Sequence, residues 1–227
     1  MVGRKFWLSG IEIGCGEMME RLLAGLPLYV GDIEIHSPKL IQIASEGYQA
    51  YERYVIACTD DNFLQYEGAD LIFLLFGLYV FTGEQFIHGG NFLYTEKEGS
   101  GEMNLVINKD NHKDIVKCLK LVNCIDDTKK YVRNKKLDEK IARARAKIKE
   151  RLGRIPGDED DITFKDLVSV LTSKHPSLNL LNVWDLTYYQ FNDQFKRMQL
   201  VDNYELGVRQ ILAGAENIKL RYYITRL

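Results

Sequence analysis

Histidine and cysteine are the residue types most able to do chemistry in this chain, and neither falls into a catalytic or metal-binding spacing. These side chains are His36, His88, His112, His175, Cys15, Cys58, Cys118 and Cys124. They form no C-x-x-C pair and no H-E-x-x-H motif, and no histidine stands beside a cysteine as in a zinc site. The sequence also lacks a phosphate-binding G-x-x-x-x-G-K-[ST] loop and a G-x-S-x-G nucleophile turn. We therefore expect no catalytic residue, no metal site, no cofactor and no enzymatic activity.

The composition predicts an ordinary folded protein that stays in a reducing compartment. The chain has 227 residues, of which 46% are apolar and 27% are charged. This length supports one sizeable core or two modest ones. Glu12 and Glu17 interrupt the apolar stretch that a secretory signal would need, so export is not expected. The four cysteines are then predicted to be buried thiols.

Residues 37–59 carry a pattern of helical periodicity that is rich in tyrosine. An extended segment at residues 26–35 leads into it. Ser37 is a suitable N-cap and Pro38 suits the first helical position, which predicts one helix that continues to Asp60. Apolar and aromatic residues then recur every three or four positions. We expect this stripe to pack within its own domain, and its tyrosines are also candidates for protein interaction. The candidates are Tyr48, Tyr51 and Tyr54.

The strongest apolar run of the chain covers residues 71–81. As a helix these residues span only about 16 Å, roughly half the hydrocarbon thickness of a bilayer, so the run cannot cross a membrane alone. We predict a core element, either a helix that begins near Asn62 or a central strand. The alternative is an exposed apolar surface that covers an apolar client.

A change of period after Thr82 predicts a small β meander. Two short strands flank Gly89 and Gly90, and residues 103–108 form the third. Asp110 or Asn111 is then placed to cap a helix with a periodic apolar face. The N-terminal domain is therefore predicted to be α+β.

A basic arm separates this domain from the rest of the chain. Residues 129–154 contain twelve Lys or Arg against three Asp or Glu, a net charge of +9, whereas the whole chain carries −2. We predict a mixed domain at residues 1–128, a basic helical linker at 129–160 and a helical unit at 161–227. The arm is either a solvated linker helix, a contact for an acidic protein surface, or a site for nucleic acid or anionic lipid. Its representative cations are Arg143, Arg145, Lys147 and Lys149.

The C-terminal unit is predicted to contain two helices and more aromatic surface than its size requires. Asp161 or Thr163 can cap the first helix, and Asn182 or Asp185 can start a longer one that ends before Gly214. The aromatic residues are predicted to be partly core and partly interface. They are Trp184, Tyr188, Tyr189, Tyr222 and Tyr223.

Two stretches of this chain resemble the tail assembly chaperones of phages that infect Gram-positive hosts. The first has a helix start with Leu40 and Ile43, a Gly-Tyr-x-x-Tyr-x-x-Tyr run from Gly47, and a Cys-Thr exit at Cys58. The second runs from residue 181 through an Ala-Gly-Ala segment at 213–215 to the C-terminal tail. The resemblance implies a protein that binds the phage tape-measure protein in the host cytoplasm during tail assembly, with tail-tube subunits as a second candidate client.

Other functions remain open. The chain could instead be a structural component of the virion tail or baseplate, with the basic arm and aromatic residues contacting neighbouring subunits. A nucleic-acid-binding accessory protein is a weaker hypothesis because aromatic residues do not interleave with the basic ones. Self-association is a further open alternative, and no membrane partner is expected.

Overall fold

The computed structural model describes residues 5–8, 11–97, 99, 101–125, 163–215 and 220. Seven strands occur in this part of the chain: β1 (Lys5–Leu8), β2 (Ile11–Gly14), β3 (Leu28–Val30), β4 (Ile33–Ile35), β5 (Ile87–His88), β6 (Leu93–Glu96) and β7 (Met103–Ile107). The helices of these ranges are α1 (Cys15–Leu23), α2 (Leu40–Glu46), α3 (Tyr48–Thr59), α4 (Gly68–Thr82), α5 (His112–Val122), α6 (Phe164–Lys174) and α7 (Tyr188–Leu212). The predicted α+β class is confirmed.

The strands form three small antiparallel sheets. β1 pairs with β2, β3 pairs with β4, and β5, β6 and β7 form the predicted meander in sequential order. The segment at residues 26–35, predicted to be one extended stretch, is a hairpin because Gly31 adopts a φ of +60° in the turn between β3 and β4. Such a value suits glycine, which lacks a Cβ. The hairpin leads directly to the first helix of the tyrosine-rich region.

The tyrosine-rich region is two helices rather than the single predicted helix. Gly47, with a φ of +88°, ends α2 and precedes α3. Ser37 is also not the N-cap, because α2 begins at Leu40 after Lys39. Instead the buried Ser37 hydroxyl donates to the carbonyl oxygen of Val122 (3.2 Å) and accepts from the backbone N–H of Tyr189 (3.0 Å). The residue that sequence assigns to a local cap therefore joins three distant segments.

The strongly apolar run forms α4 and packs against α3. Leu74, Leu78 and Phe81 are fully buried and contribute to one hydrophobic core. The predicted helix start near Asn62 is wrong, since residues Phe63–Gln65 form a single 3₁₀ turn and α4 begins at Gly68. Among the two predicted alternatives, helix and strand, the helix is confirmed.

The C-terminal helices share this core. Thr163 is the N-cap of α6, as predicted, and forms a capping box with Asp166. α7 begins after Thr187, whose side chain caps the helix by accepting a hydrogen bond from the backbone N–H of Gln190 (3.2 Å). The predicted starts at Asn182 and Asp185 are wrong, because residues Val183–Asp185 form a 3₁₀ turn.

Backbone contacts fix the start of α7 to the entry of α2. Leu40 donates to the carbonyl oxygen of Leu186 (2.9 Å), and Tyr188 donates to that of Pro38 (2.8 Å). Buried residues on both sides of residues 126–162 belong to the same hydrophobic cluster; on the C-terminal side these are Val168, Leu171, Val183, Tyr189 and Phe191. The predicted domain division, whose basic linker lies outside the described residues, stays a prediction.

Candidate protein-interaction site

The helix α4 is apolar around its whole circumference but is buried on one side only. Ile72, Phe76 and Tyr79 are 55%, 56% and 50% exposed, and they follow one another at helical steps of four and three residues. A helix that is apolar all round is normally enclosed on all sides. Exposed apolar side chains are common singly, whereas a contiguous row indicates a surface that contacts another molecule. This row therefore marks a candidate interaction site.

A groove runs beside the exposed row. Its volume is about 470 Å³, and it is lined by Ile72, Leu75, Phe76, Tyr79, Gln85 and Phe86. Gln85 and Phe86 come from the segment between α4 and β5, which folds back after the left-handed Gly83. We call the row and groove together the α4 surface. Its shape and composition resemble apolar clefts that accept a few large side chains.

Tyr54 supports one edge of the α4 surface. Its ring lies nearly parallel to that of Phe76, with 6.4 Å between centroids, and also contacts Phe73 at 6.4 Å. The Arg53 guanidinium lies 5.6 Å from the Phe73 ring centroid. The Tyr54 hydroxyl donates to the Glu46 carboxylate at 3.5 Å. The structure thus places one predicted interaction residue, Tyr54, behind this surface, where it is mostly buried.

Three other predicted interaction residues meet in a second place. The ring of Tyr51 lies 6.2 Å from that of Tyr48 and 5.3 Å from that of Tyr188, measured between centroids. Tyr48 also stacks on Phe164 at 4.8 Å. These tyrosines, with Asn123, line a groove of about 350 Å³. We call Tyr48, Tyr51 and Tyr188 the tyrosine cluster.

The hydroxyls of Tyr48 and Tyr51 are held in their neutral form. Tyr51 is 2% exposed, and its hydroxyl donates to Asn123 Oδ1 at 2.5 Å. Burial, followed by the neighbouring Tyr188 hydroxyl, raises the pKa of Tyr51 and of Tyr48 well above the ordinary tyrosine value. Phenols of this kind act as hydrogen-bonding groups and not as bases at neutral pH. The cluster joins α3, α6 and α7 and leaves a shallow opening.

The remaining predicted interaction residues are dispersed. Tyr189 is buried in the core, and Trp184 is half-buried with its indole N–H donating to the carbonyl oxygen of Leu180 at 2.9 Å. Two predicted sets lie outside the described residues. They are the C-terminal Tyr222 and Tyr223, and the basic arm with Arg143, Arg145, Lys147 and Lys149. Sequence reasoning did not single out Ile72, Phe76 or Tyr79, although an apolar run without a polar face was the available signal.

The polar groups of the described ranges offer no cluster for metal chemistry. Within these ranges, no three His, Cys, Asp or Glu side chains lie together in a way that could hold a metal ion. Burial raises the pKa of Cys118 to about 12 and that of Cys124 to about 11, and raises that of Cys58 further. These thiols therefore stay protonated near neutral pH. No helix in the described part of the chain is long and apolar enough to cross a membrane.

An α+β protein with an exposed apolar helix face is the class that these observations define. Residues 157–227 match a family model described as the YomV second domain. The matched segment includes α6 and α7, and this match to a domain of a Bacillus phage-type protein suggests a phage-related protein. Neither a curated protein nor a solved structure matches the chain. The phage connection of the sequence analysis is confirmed at this level, and its finer resemblance to tail assembly chaperones stays a prediction.

Proposed function

We propose that this protein is a phage tail assembly chaperone that binds the tape-measure protein in the host cytoplasm, with tail-tube subunits as a second candidate client. The observation that carries the proposal is the half-exposed row of Ile72, Phe76 and Tyr79 on an apolar helix whose opposite side is buried in the core. A chaperone for an assembling apolar client needs such a surface, because covering the client's exposed apolar groups lowers the population that can aggregate. The match to a phage-type domain at residues 157–227 supports a role in a phage.

The mechanism is masking. The α4 surface is preformed in the folded protein because the mostly buried Tyr54 ring supports Phe73 and Phe76 from behind. A preformed surface of this kind binds without a large ordering penalty of its own. The client leaves when its apolar groups find their permanent partners in the tail, so that the chaperone acts without covalent chemistry.

Co-expression with the tape-measure protein of the same phage tests the proposal. We expect the client to become soluble and to co-purify with the chaperone. Phe76→Ala should weaken the complex by about 2 kcal/mol, roughly thirtyfold, as for a central aromatic contact. Leu206→Ala is the matched control, because Leu206 lies on α7 and is 54% exposed. A client that stays soluble and monodisperse alone contradicts the chaperone function.

The tyrosine cluster and Trp184 require a separate variant. Trp184→Ala combined with Tyr188→Ala removes two aromatic residues of the C-terminal helical region without touching the α4 surface. If these rings belong to the client contact, the folded double variant binds the tape-measure protein more weakly. Normal binding by that variant would exclude them from the contact and leave the α4 surface as the site.

A structural component of the virion tail or baseplate is the alternative proposal. The phage-related match supports it as well, and an exposed apolar helix face could equally contact a neighbouring subunit. Quantitative mass spectrometry of purified particles separates the two functions. The chaperone proposal expects the protein to be absent or far below stoichiometric amounts, whereas the structural alternative expects a fixed number of copies in each particle.

A further inference from the structure

We propose that the α4 surface accepts one amphipathic helix whose apolar side chains are flanked by basic residues. This inference rests on the proposed function, since the helix would belong to the client. The inference specifies the size and the charge of the client segment that binds, and it favours a single helix over a second copy of this chain. Three observations support it: the area of the exposed row, the dimensions of the groove, and the charges around both.

The exposed area is too small for a stable dimer. A large side chain such as an aromatic one buries roughly 150–250 Å² when fully enclosed, so three half-exposed side chains offer about 300 Å². Those side chains are Ile72, Phe76 and Tyr79. Stable interfaces between globular proteins bury about 800 Å² on each partner. A second copy meeting this surface alone would therefore bind weakly, whereas a short helix can place most of its apolar face on it.

The groove has the dimensions of a helix-binding cleft. Ile72 and Tyr79 are seven residues apart on α4, which corresponds to about 10 Å along the helix axis. A bound helix can cover that distance with anchors at positions i, i+4 and i+7, the recurring pattern of helix-in-groove recognition. The adjoining volume of about 470 Å³ receives such anchors between α4 and Phe86.

The exposed charges around the α4 surface are mainly negative. Glu67 and Asp70 lie at the N-terminal end of α4, and Glu84 follows its C-terminal end beside the groove-lining Gln85. Glu46 lies at the Tyr54 edge, where Arg53 is the opposing cation. The C-terminal end of α4 adds a partial negative charge close to Glu84. Basic residues beside the apolar stripe of the bound helix are therefore favoured over acidic ones.

Two designed peptides provide the test. Both are roughly 18 residues long, about 27 Å as a helix, with leucine at i, i+4, i+7 and i+11. One has lysine at its polar positions and the other has glutamate. Binding of each labelled peptide to the full-length protein is measured by fluorescence anisotropy at low and high salt. We expect the lysine peptide to bind at least about tenfold more tightly than the glutamate peptide, and this difference to shrink as salt screens the charges.

Matched variants locate the binding surface. Ile72→Gln should weaken lysine-peptide binding by about tenfold or more, because it replaces an apolar contact of the row by a neutral polar group that must lose its hydration. Leu206→Gln should leave it unchanged; Ile72 and Leu206 are 55% and 54% exposed. Far-ultraviolet circular dichroism confirms that both variants are folded. Equal effects of the two substitutions would overturn the assignment to the α4 surface.

Other outcomes separate this inference from the proposed function. If neither peptide binds but the tape-measure protein still co-purifies, the single-helix inference is wrong and the chaperone function stands. If the lysine peptide binds as described but the tape-measure protein does not, the inference stands and the proposed client is wrong. Tighter binding of the glutamate peptide overturns the charge preference. A stable dimer that Ile72→Gln dissociates would assign the surface to a second copy instead.

Discussion

Gly77 is the position where the packing of α4 on α3 leaves least room for a side chain. A Cβ added there would lie 2.5 Å from Cys58 Sγ, 3.1 Å from Tyr54 Cβ and 3.2 Å from the Tyr54 carbonyl oxygen. Cys58 is fully buried, and its thiol donates to the carbonyl oxygen of Leu74 at 3.6 Å. Neither the thiol nor the α3 backbone can move aside without disturbing the core. Gly77→Ala is therefore expected to destabilise the protein.

The sign of this effect depends on two opposing contributions. Replacing glycine by alanine inside a helix normally stabilises it by about 1 kcal/mol. Forcing an extra methyl group into a packed core costs about 1–3 kcal/mol, and the contact with backbone places Gly77 at the upper end of that range. We expect a net loss of about 1–2 kcal/mol in the free energy of unfolding. For a chain of this size, that loss lowers Tm by roughly 2–8 °C.

A double-mutant cycle identifies the clash. The free energies of unfolding of Gly77→Ala, Cys58→Ala and the double variant are measured by urea denaturation. Cys58→Ala alone leaves a small cavity and destabilises, but it also makes room for the new methyl group. The double variant should therefore be more stable than the sum of the single effects by about 1 kcal/mol or more. Additive losses, or a Gly77→Ala protein at least as stable as the parent, would refute this account of the packing.

Three further predictions concern the links between the two ends of the chain. Ser37→Ala should reduce the free energy of unfolding by about 2 kcal/mol, measured in urea, because two buried hydrogen bonds are lost. Because burial raises the pKa of Tyr51, the protonated Tyr51 side chain should give its full stabilisation below about pH 10, and this stabilisation should be lost as pH rises through the folded-state pKa. Tyr51→Phe should flatten this loss when the free energy of unfolding is measured at increasing alkaline pH. Trypsin should cut first within residues 135–154, and the two fragments should co-elute in native gel filtration; separate elution would contradict the shared core.

Local patterns were sufficient to predict the α+β class, the meander and the α6 cap. The meander follows from glycines between short β-prone runs, and Thr163 satisfies its cap within its own helix, through Asp166. Ser37 has the same local signature, but it is buried and bonds to Val122 and Tyr189, which are 85 and 152 residues away in sequence. A cap signal therefore fails where a distant partner competes for the hydroxyl.

The α4 surface could not be located from sequence for a related reason. Amphipathic periodicity shows which side of a helix faces the core, but residues 71–81 are apolar on every side. The helix itself was predictable because of its apolar length. The exposed side of α4 is the side that neither α3 nor the segment containing Phe86 covers. Which side this is depends on tertiary packing.

The tyrosines of α3 show how one sequence stripe can serve three contacts. Tyr48, Tyr51 and Tyr54 are spaced by three residues, which is about 60° short of a full helical turn at each step. The three rings therefore spread over about 120° of the helix surface and meet different neighbours. Tyr48 stacks on Phe164 of α6, Tyr51 contacts Tyr188 of α7, and Tyr54 supports Phe76 of α4. One helix thus contacts both the phage-related segment, through Phe164 and Tyr188, and the α4 surface, through Phe76.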